Sequence, residues 1–524
     1  MSTLGAYLRL VRAGWILLRE GVVAALPGDH LEGLPRLGWR FAKAVSRRRA
    51  GARGRSERLA IAVERLGPSY VKLGQFLATR PDVVGHEMAL DLASLQDRMD
   101  TFPEAQARAA IQDSLGAPVE SLFVTFGAPV AAASIAQVHR ATIRHEGEER
   151  PVAVKVIRPG VRRRFFRDLE SYFLAARLQE RWIPATRRLR PVEVAGTLAQ
   201  TTKIEMDLRL EAAAISEMHE YAREDPGFRV PWVDWRRTGR DVLTLEWIDG
   251  IKMSDIEGLR AAGHDLEQLA VTLIQSFLRH TLRDGFFHAD MHPGNLFVEP
   301  DGTIVAVDFG IMGRIGRKER RFLAEILYGF ITRDFRRVAE VHFEAGYVPA
   351  HHDVAAFAQA LRAIGEPIHG QPAETISMAR LLTLLFEVTE LFDMQTRPEL
   401  LLLQKTMVVV EGVARTLDPH FNMWKASEPV VSGWIATNLG PRGLVTDARD
   451  GLAALVSLAR QAPELAARTE RLSREIEAMA ENGLRFDPGT AEAIGRAEAR
   501  HARSGRLALW VIALVLLAIA WRLF

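Results

Sequence analysis

Two short polar segments set the strongest limit on what this chain can become. The first, His288-Ala-Asp-Met-His-Pro-Gly-Asn295, carries Asp290 and, five residues on, Asn295. The second, Val305-Ala-Val-Asp308-Phe-Gly310, is a β-prone run ending on a carboxylate. Asp290 and Asp308 are 18 residues apart. The rest of the chain permits a folded setting for them. Its 524 residues allow about two to four domains with a sizeable core. At 48% hydrophobic and 25% charged it has an ordinary globular balance, which excludes wholesale disorder. With no cysteine, disulfides, thiolate zinc sites, iron–sulfur clusters and cysteine nucleophiles are excluded. A net charge of +3 argues against bulk nucleic-acid binding and directs attention to local patches.

An aspartate, an asparagine and a strand ending in Asp-Phe-Gly follow the order of a kinase active site. Phosphoryl transfer needs the charge of ATP neutralised by Mg²⁺ and its groups fixed in place. Asp308 offers Mg²⁺ a hard carboxylate, and Asn295 offers a second metal an amide oxygen. Asp290 stands where a base would take a hydroxyl proton. Upstream, Val152-Ala-Val-Lys155 lies on a predicted strand, and such a lysine contacts the α and β phosphates. The loop before it is Ala131-Ala132-Ala133-Ser134-Ile135-Ala136-Gln137-Val138 and not a glycine loop. Glycines let backbone amides approach phosphates, and alanines restrict this, so altered nucleotide handling is expected.

Short strands are expected at Phe123–Phe126, Val138–Ile143, Val152–Ile157, Val230–Trp235, Val242–Trp247, Leu296–Val298 and Ile304–Val307. Residues 57–100, 161–222 and 320–500 read as helical, and Ile311–Lys318 is expected to lead straight into helix. Met378, Met394, Met407, Met423, Trp424 and Trp434 read as core filler. His288 and His292 are assigned structural roles, because the adjacent Asp–Asn–Asp set already accounts for the motif.

The ends point to a membrane. Leu507–Trp521 is an unbroken apolar run, about 22 Å as a helix and extended by Arg506, Arg522 and interfacial Trp510 and Trp521. The arginines before it place the body on the cytoplasmic side. The N-terminus reads as an amphipathic helix that lies on a membrane or packs on the body. The basic stretch from Arg36 to Arg58 is a solvated linker or a patch for anionic lipid, with RNA binding a weaker third reading because aromatic interleaving is absent beyond Trp39 and Phe41.

Several motifs resemble the UbiB/ADCK family of atypical kinase-like proteins of ubiquinone biosynthesis. Lys72-Leu-Gly-Gln75 matches its KxGQ motif, Leu95-Gln96-Asp97 its LQD segment, and Glu205-Met-Asp207 its ExD motif; Glu211 stands at the position of its helix glutamate. The alanine loop is itself a family mark. The chain departs from the pattern at Ala136, where glycine is usual, and at Met291, where proline is usual.

The resemblance implies an α+β, protein-kinase-like two-lobe fold with added N-terminal KxGQ helices, a helical C-terminal extension and a C-terminal transmembrane helix. The expected divisions are 1–56, an amphipathic and basic segment; 57–120, the KxGQ extension; 121–250, an N-lobe with a helical insertion; 251–440, a C-lobe; 441–504, a linker; and 505–524, the anchor. It implies that Lys155 pairs with Glu211 across 56 residues, with Arg162–Ala195 as an inserted helical segment. The KxGQ helices would fold over the site, bringing Lys72 and Gln75 near the nucleotide and near Glu205 or Asp207. Expected cofactors are ATP and Mg²⁺. Expected partners are anionic membrane lipids, isoprenoid quinone precursors and their modifying enzymes, and a second copy in a homodimer, at a bacterial inner membrane. An occluded site favours water or a lipid-like acceptor over protein. A nucleotide-binding scaffold without turnover is the alternative. No flavin fingerprint or iron triad supports direct hydroxylation.

Overall fold

Strand alternation decides how the upper part of the molecule is built. In the computed structural model, β2 (Ala136–His145) pairs antiparallel with β3 (Glu148–Ile157), Val138 opposite Lys155 and His139 opposite Val154. Successive side chains on a strand point to opposite faces. Val152, Val154 and Val156 therefore share one face, and they are buried with Ala141 and Ile143 against Ala107 and Ile111 of helix Glu104–Leu115. Lys155 points to the other face. β1 (Thr125–Ala132) and β5 (Val242–Glu246) complete an antiparallel sheet in the order β1-β2-β3-β5.

The structure describes residues 3–25, 34–46, 54–78, 84, 88, 91–92, 100–182, 187, 189–370, 387–389, 391–394 and 398–440. The chain divides into two compact units, 1–435 and 436–524. The site features below belong to the first. The LQD segment, residues 441–504 and the apolar run 507–521 lie outside the described residues, as do Arg47, Arg48, Arg49 and Arg53 of the basic stretch. No helix of the described residues is long and apolar enough to cross a membrane.

Below the first sheet, β4 (Phe228–Arg229), β9 (Ile304–Ala306), β8 (Leu296–Val298) and β6 (Ile251–Lys252) form a second sheet in that order. β7 (Phe286–His288) pairs antiparallel with β10 (Met312–Arg314). This corrects the expectation that Ile311–Lys318 runs straight into helix, because the helix begins only at Arg317. Three residues around Gly313 are too few for alternation to register. The expected strand Val230–Trp235 is also corrected. Pro231 cannot donate to a ladder, and only a bridge from Val233 to Leu245 remains before the turn of 3₁₀ helix Trp235–Arg237.

Between β3 and the helix carrying Glu211 lie two helices, Val161–Trp182 and Pro191–Glu205. The N-terminal helix Thr3–Arg19 packs on the first of these through buried Ala6 and Ala13. Arg9 donates to Ser171 Oγ at 2.9 Å and pairs with Glu170 at 3.0 Å. In this structure the helix therefore lies against the body, with Leu4, Leu8, Val11 and Trp15 left exposed along it. Helices Arg317–Thr332, Phe335–Glu344, Val354–Gly370, Pro398–Leu417 and Met423–Asn438 follow. Met394, Met407, Met423, Trp424 and Trp434 pack on core clusters there, and Met378 lies outside the described residues.

Gly313 sets a stringent test of this packing. A Cβ placed there would lie 2.1 Å from Phe287 Cζ, and Phe287 is fully buried. Gly313→Ala is expected to cost about 1–3 kcal/mol by overpacking, read as a lower denaturant midpoint. An unchanged midpoint would contradict the β7–β10 packing.

Candidate active site

Helix Leu208–Ala222 buries Leu208, Glu211, Ala212, Ile215, Met218 and Ala222 along one stripe. A glutamate on an apolar stripe needs a partner. Glu211 has one in Lys155, whose Nζ donates to Oε1 at 2.8 Å and Oε2 at 3.0 Å. The same amine donates to Asp308 Oδ1 at 3.1 Å. The structure thus joins three of the sequence candidates around one ammonium. Burial opposes the charge on Lys155, and the two carboxylates more than reverse this, raising its pKa. Burial pushes the Glu211 carboxyl up to about 7 against the pull of Lys155. Burial would also raise Asp308, but the ammonium outweighs it and holds the group at about 2.

Asp308 sits at φ 61°, in the left-handed region that aspartate tolerates better than most residues. Its side chain is 45% exposed. Phe309 behind it is buried and packs on the His288 ring at 4.8 Å. His288 donates from Nε2 to the Val307 carbonyl at 3.2 Å and accepts the Asp290 N–H on Nδ1 at 3.1 Å. A neutral imidazole therefore ties the Asp290 loop to the Asp308 strand, the structural role expected for it. His292 accepts the Gly294 N–H on Nδ1 and lies 3.9 Å from Asp290 Oδ2. Asn295 donates Nδ2 to the Asp290 carbonyl at 3.2 Å, and its own carbonyl accepts from Val307 N at 2.8 Å. Its amide oxygen is then the group it can offer a cation. The Asp290 and Asp308 carboxylates and the Asn295 amide oxygen are hard-oxygen donors of the type that suits Mg²⁺, and the Lys155 ammonium bonded to Asp308 is of the type that suits phosphate.

The alanine segment is mostly strand. Ala131 and Ala132 end β1 opposite Val138 and Gln137, leaving Ala133-Ser134-Ile135 as the turn. Ala133 N donates to Ala136 O at 2.8 Å, which commits that amide to the hairpin. Ser134 and Ala136 are buried, and Ala136 takes no positive φ, so the position does not need glycine. Val138 faces the cleft side beside Lys155. Gln137 does not: alternation puts it on the opposite face, where its amide accepts from Phe102 N at 2.9 Å and donates to Phe102 O at 3.2 Å. Its expected place at the nucleotide is corrected accordingly. Met291, the other departure, is core.

In the helix Pro68–Ala78, Lys72 forms a salt bridge with Glu205, their side chains 17% and 7% exposed. Half-buried Gln75 follows one turn later. Asp207 is not drawn into this pair. It caps helix Leu208–Ala222 and holds Arg209 at 2.9 and 2.7 Å. Sequence reasoning also missed Thr406, which is buried on helix Pro398–Leu417 and donates to the Ala289 carbonyl at 3.1 Å inside the Asp290 loop. A threonine among leucines carries no signal of such a contact.

Removing one partner of a buried pair leaves the other uncompensated. Glu205→Leu should cost about 3 kcal/mol, near the low end for such losses because Lys72 keeps some solvent. Lys72→Met with Glu205→Leu should restore most of it in a double-mutant cycle. Strictly additive losses would contradict the pairing.

A pH dependence follows from the buried histidines. Burial lowers His139, His288 and His342 below the ordinary value near 6.5. Unfolded, they take up protons as pH falls through 6.5; folded, they resist, so their stabilisation is complete above 6.5 and lost below it. Glu211 has the opposite sign between about 4.5 and 7, where the fold holds a proton that the unfolded chain releases. The two signs oppose each other, so the histidine part is read by substitution: the fall in urea midpoint from pH 7.5 to 5.5 should be smaller, or the rise larger, in His342→Gln than in the wild type. An identical pH dependence in the two proteins would contradict this.

The family model described as the ABC1 atypical kinase-like domain matches residues 94–342, and the UbiB helical domain matches 361–422. "Probable protein kinase UbiB" of Marinobacter nauticus is 40% identical over 416 residues, covering 78% of this chain and 76% of that protein. The protein of the same name from Aeromonas hydrophila is 37% identical over 471 residues, covering 89% and 86%. A solved structure titled "The complex structure of Rv3197-erythromycin from Mycobacterium tuberculosis" is 25% identical, covers 69% of this chain and 91% of that one, and has a TM-score of 0.48. The chain belongs to the UbiB family, with an α+β kinase-like fold that implies ATP binding and a helical UbiB domain behind it.

Proposed function

We propose that this chain is an ATP- and Mg²⁺-dependent atypical kinase or ATPase, attached to a membrane, that supports ubiquinone biosynthesis. The carrying observation is the single ammonium of Lys155 held between Glu211 and Asp308. Asp308 and Asn295 would hold Mg²⁺, which when bound supplies charge neutralisation on the phosphates. Lys155, fixed by Glu211, would face the phosphates, and Asp290 would accept the proton of the attacking hydroxyl or water.

The relatives are named protein kinases, but the acceptor favoured here is water or a lipid-like molecule. The reading rests on the Lys72–Glu205 pair, which joins the KxGQ helix to the chain six residues before Glu211; a helix held there would narrow access for a protein substrate. The apolar run 507–521 and the exposed apolar residues of helix Thr3–Arg19 support attachment to a bacterial inner membrane from the cytoplasmic side. There, anionic lipids, isoprenoid quinone precursors with their modifying enzymes, and a second copy in a homodimer are the partners of this reading.

Purified protein with Mg·ATP should release phosphate, and Asp308→Asn should reduce that release at least about 100-fold. Equal release from both would remove turnover and leave the second reading, a nucleotide-binding scaffold, which the commitment of Ala133 N–H to its hairpin favours. In a deletion strain, full rescue of quinone production by both Asp290→Asn and Asp308→Asn would do the same.

A further inference from the structure

Outside the candidate active site, one group of three His and Asp side chains among the described residues brings its ligand atoms within 4.8 Å of one another: His351, His352 and Asp393. Nε2 of His352 lies 3.3 Å from Asp393 Oδ2, and Nε2 of His351 lies 3.8 Å from the same oxygen. Two ligand atoms at zinc bonding distance in a tetrahedral shell stand roughly 3.4 Å apart.

The local chain explains the convergence. Pro349 O accepts the His352 N–H at 3.2 Å, closing a turn just before helix Val354–Gly370. This brings the two adjacent rings to 4.2 Å at 37°, where consecutive side chains would otherwise diverge. His352 is oriented from behind by Phe392 at 5.3 Å, which is itself buried against Phe357 at 4.9 Å. Asp393 follows Phe392 directly, at φ 48°. Hydrogen bonds from Phe392 N to Val388 O and from Met394 N to Thr389 O brace it on both sides. One ligand is thus fixed by the core, while His351 and Asp393, 67% and 69% exposed, leave a face open to water.

We propose that His351, His352 and Asp393 form a site for a divalent first-row transition metal of the zinc type. Two imidazole nitrogens and one carboxylate suit such an ion, with water completing the shell, whereas Mg²⁺ and Ca²⁺ prefer oxygen throughout. The ion would clamp the turn before helix Val354–Gly370 to residues 391–394 over Phe392. The two histidines fall between the segments matched by the two family models, and Asp393 falls within the second. None of the three belongs to the kinase-like motifs, so the site stands independently of the proposed function.

The experiment uses the full-length, tag-free protein, stripped with chelator and titrated with Zn²⁺ without nucleotide. Calorimetry gives stoichiometry and affinity, and the thermal midpoint is taken with and without Zn²⁺. Wild type and Asp308→Asn should both bind at this site and melt higher with Zn²⁺. The double variant His351→Ala/Asp393→Asn should lose at least about tenfold in affinity and the zinc-dependent rise in midpoint, while millimolar Mg²⁺ should not compete. Both substituted side chains are exposed, and an unchanged metal-free midpoint would show that the fold survives. If that midpoint falls, His351→Gln alone, at the more exposed histidine, repeats the comparison. Zinc binding by the variants equal to wild type, or binding abolished by Asp308→Asn alone, would overturn the site.

Discussion

The position of one ammonium organises the molecule. Lys155 comes from a strand, Glu211 from a helix 56 residues on, and Asp308 from a strand end 153 residues on. None of these segments can shift far without stranding a charge. With both carboxylates ionised, two face one ammonium and one negative charge is in excess. Burial relieves this at Glu211, whose carboxyl rises to about 7, while Asp308 stays ionised. Above that pH the excess persists, and a cation at Asp308, the more exposed of the two acids, would balance it.

A second set of contacts ties the N-terminal helices to this centre. Glu205 ends one helix, Asp207 caps the next, and Glu211 lies on its first turn. Lys72 grips the first of these acids. Alongside, Arg164 donates to the Leu66 carbonyl at 3.0 Å, and its guanidinium fills the space where a side chain at Gly67 would stand, at φ 101°. Movement of the KxGQ helix would consequently be felt at the cap of the helix that holds Lys155 in place.

Much of this was legible in the sequence, and the exceptions share a cause. Long runs with a clear period, such as β2, β3 and the helices from Val161 to Ala222, were readable because many residues vote for one pattern. Lys155 and Asp308 were readable because their spacing and flanks are distinctive, whereas Glu211 came only from the resemblance to the UbiB/ADCK pattern. β10 was not, since three residues around a glycine carry no period. Gln137 was assigned to the nucleotide because it belongs to a contiguous motif, whereas a strand sends alternate residues to opposite faces. Asp207 was grouped with Glu205 for the same reason, but a helix cap needed its carboxylate. Thr406 lies over a hundred residues from the loop it supports, and only tertiary structure brings it there.

The alanine turn bears on where binding energy for phosphate comes from. In a glycine loop several backbone amides point at the ligand. Here the turn has three residues, one amide closes the hairpin, and the Ala136 methyl is buried in the core. Fewer amides remain for the phosphates, and no positive φ at Ala136 opens the backbone to them. On the proposed function, the burden of holding a triphosphate would then shift to Lys155 and to a cation held by Asp308 and Asn295. A site built this way would bind nucleotide in proportion to its metal, because the metal replaces contacts that a glycine loop makes with its own backbone.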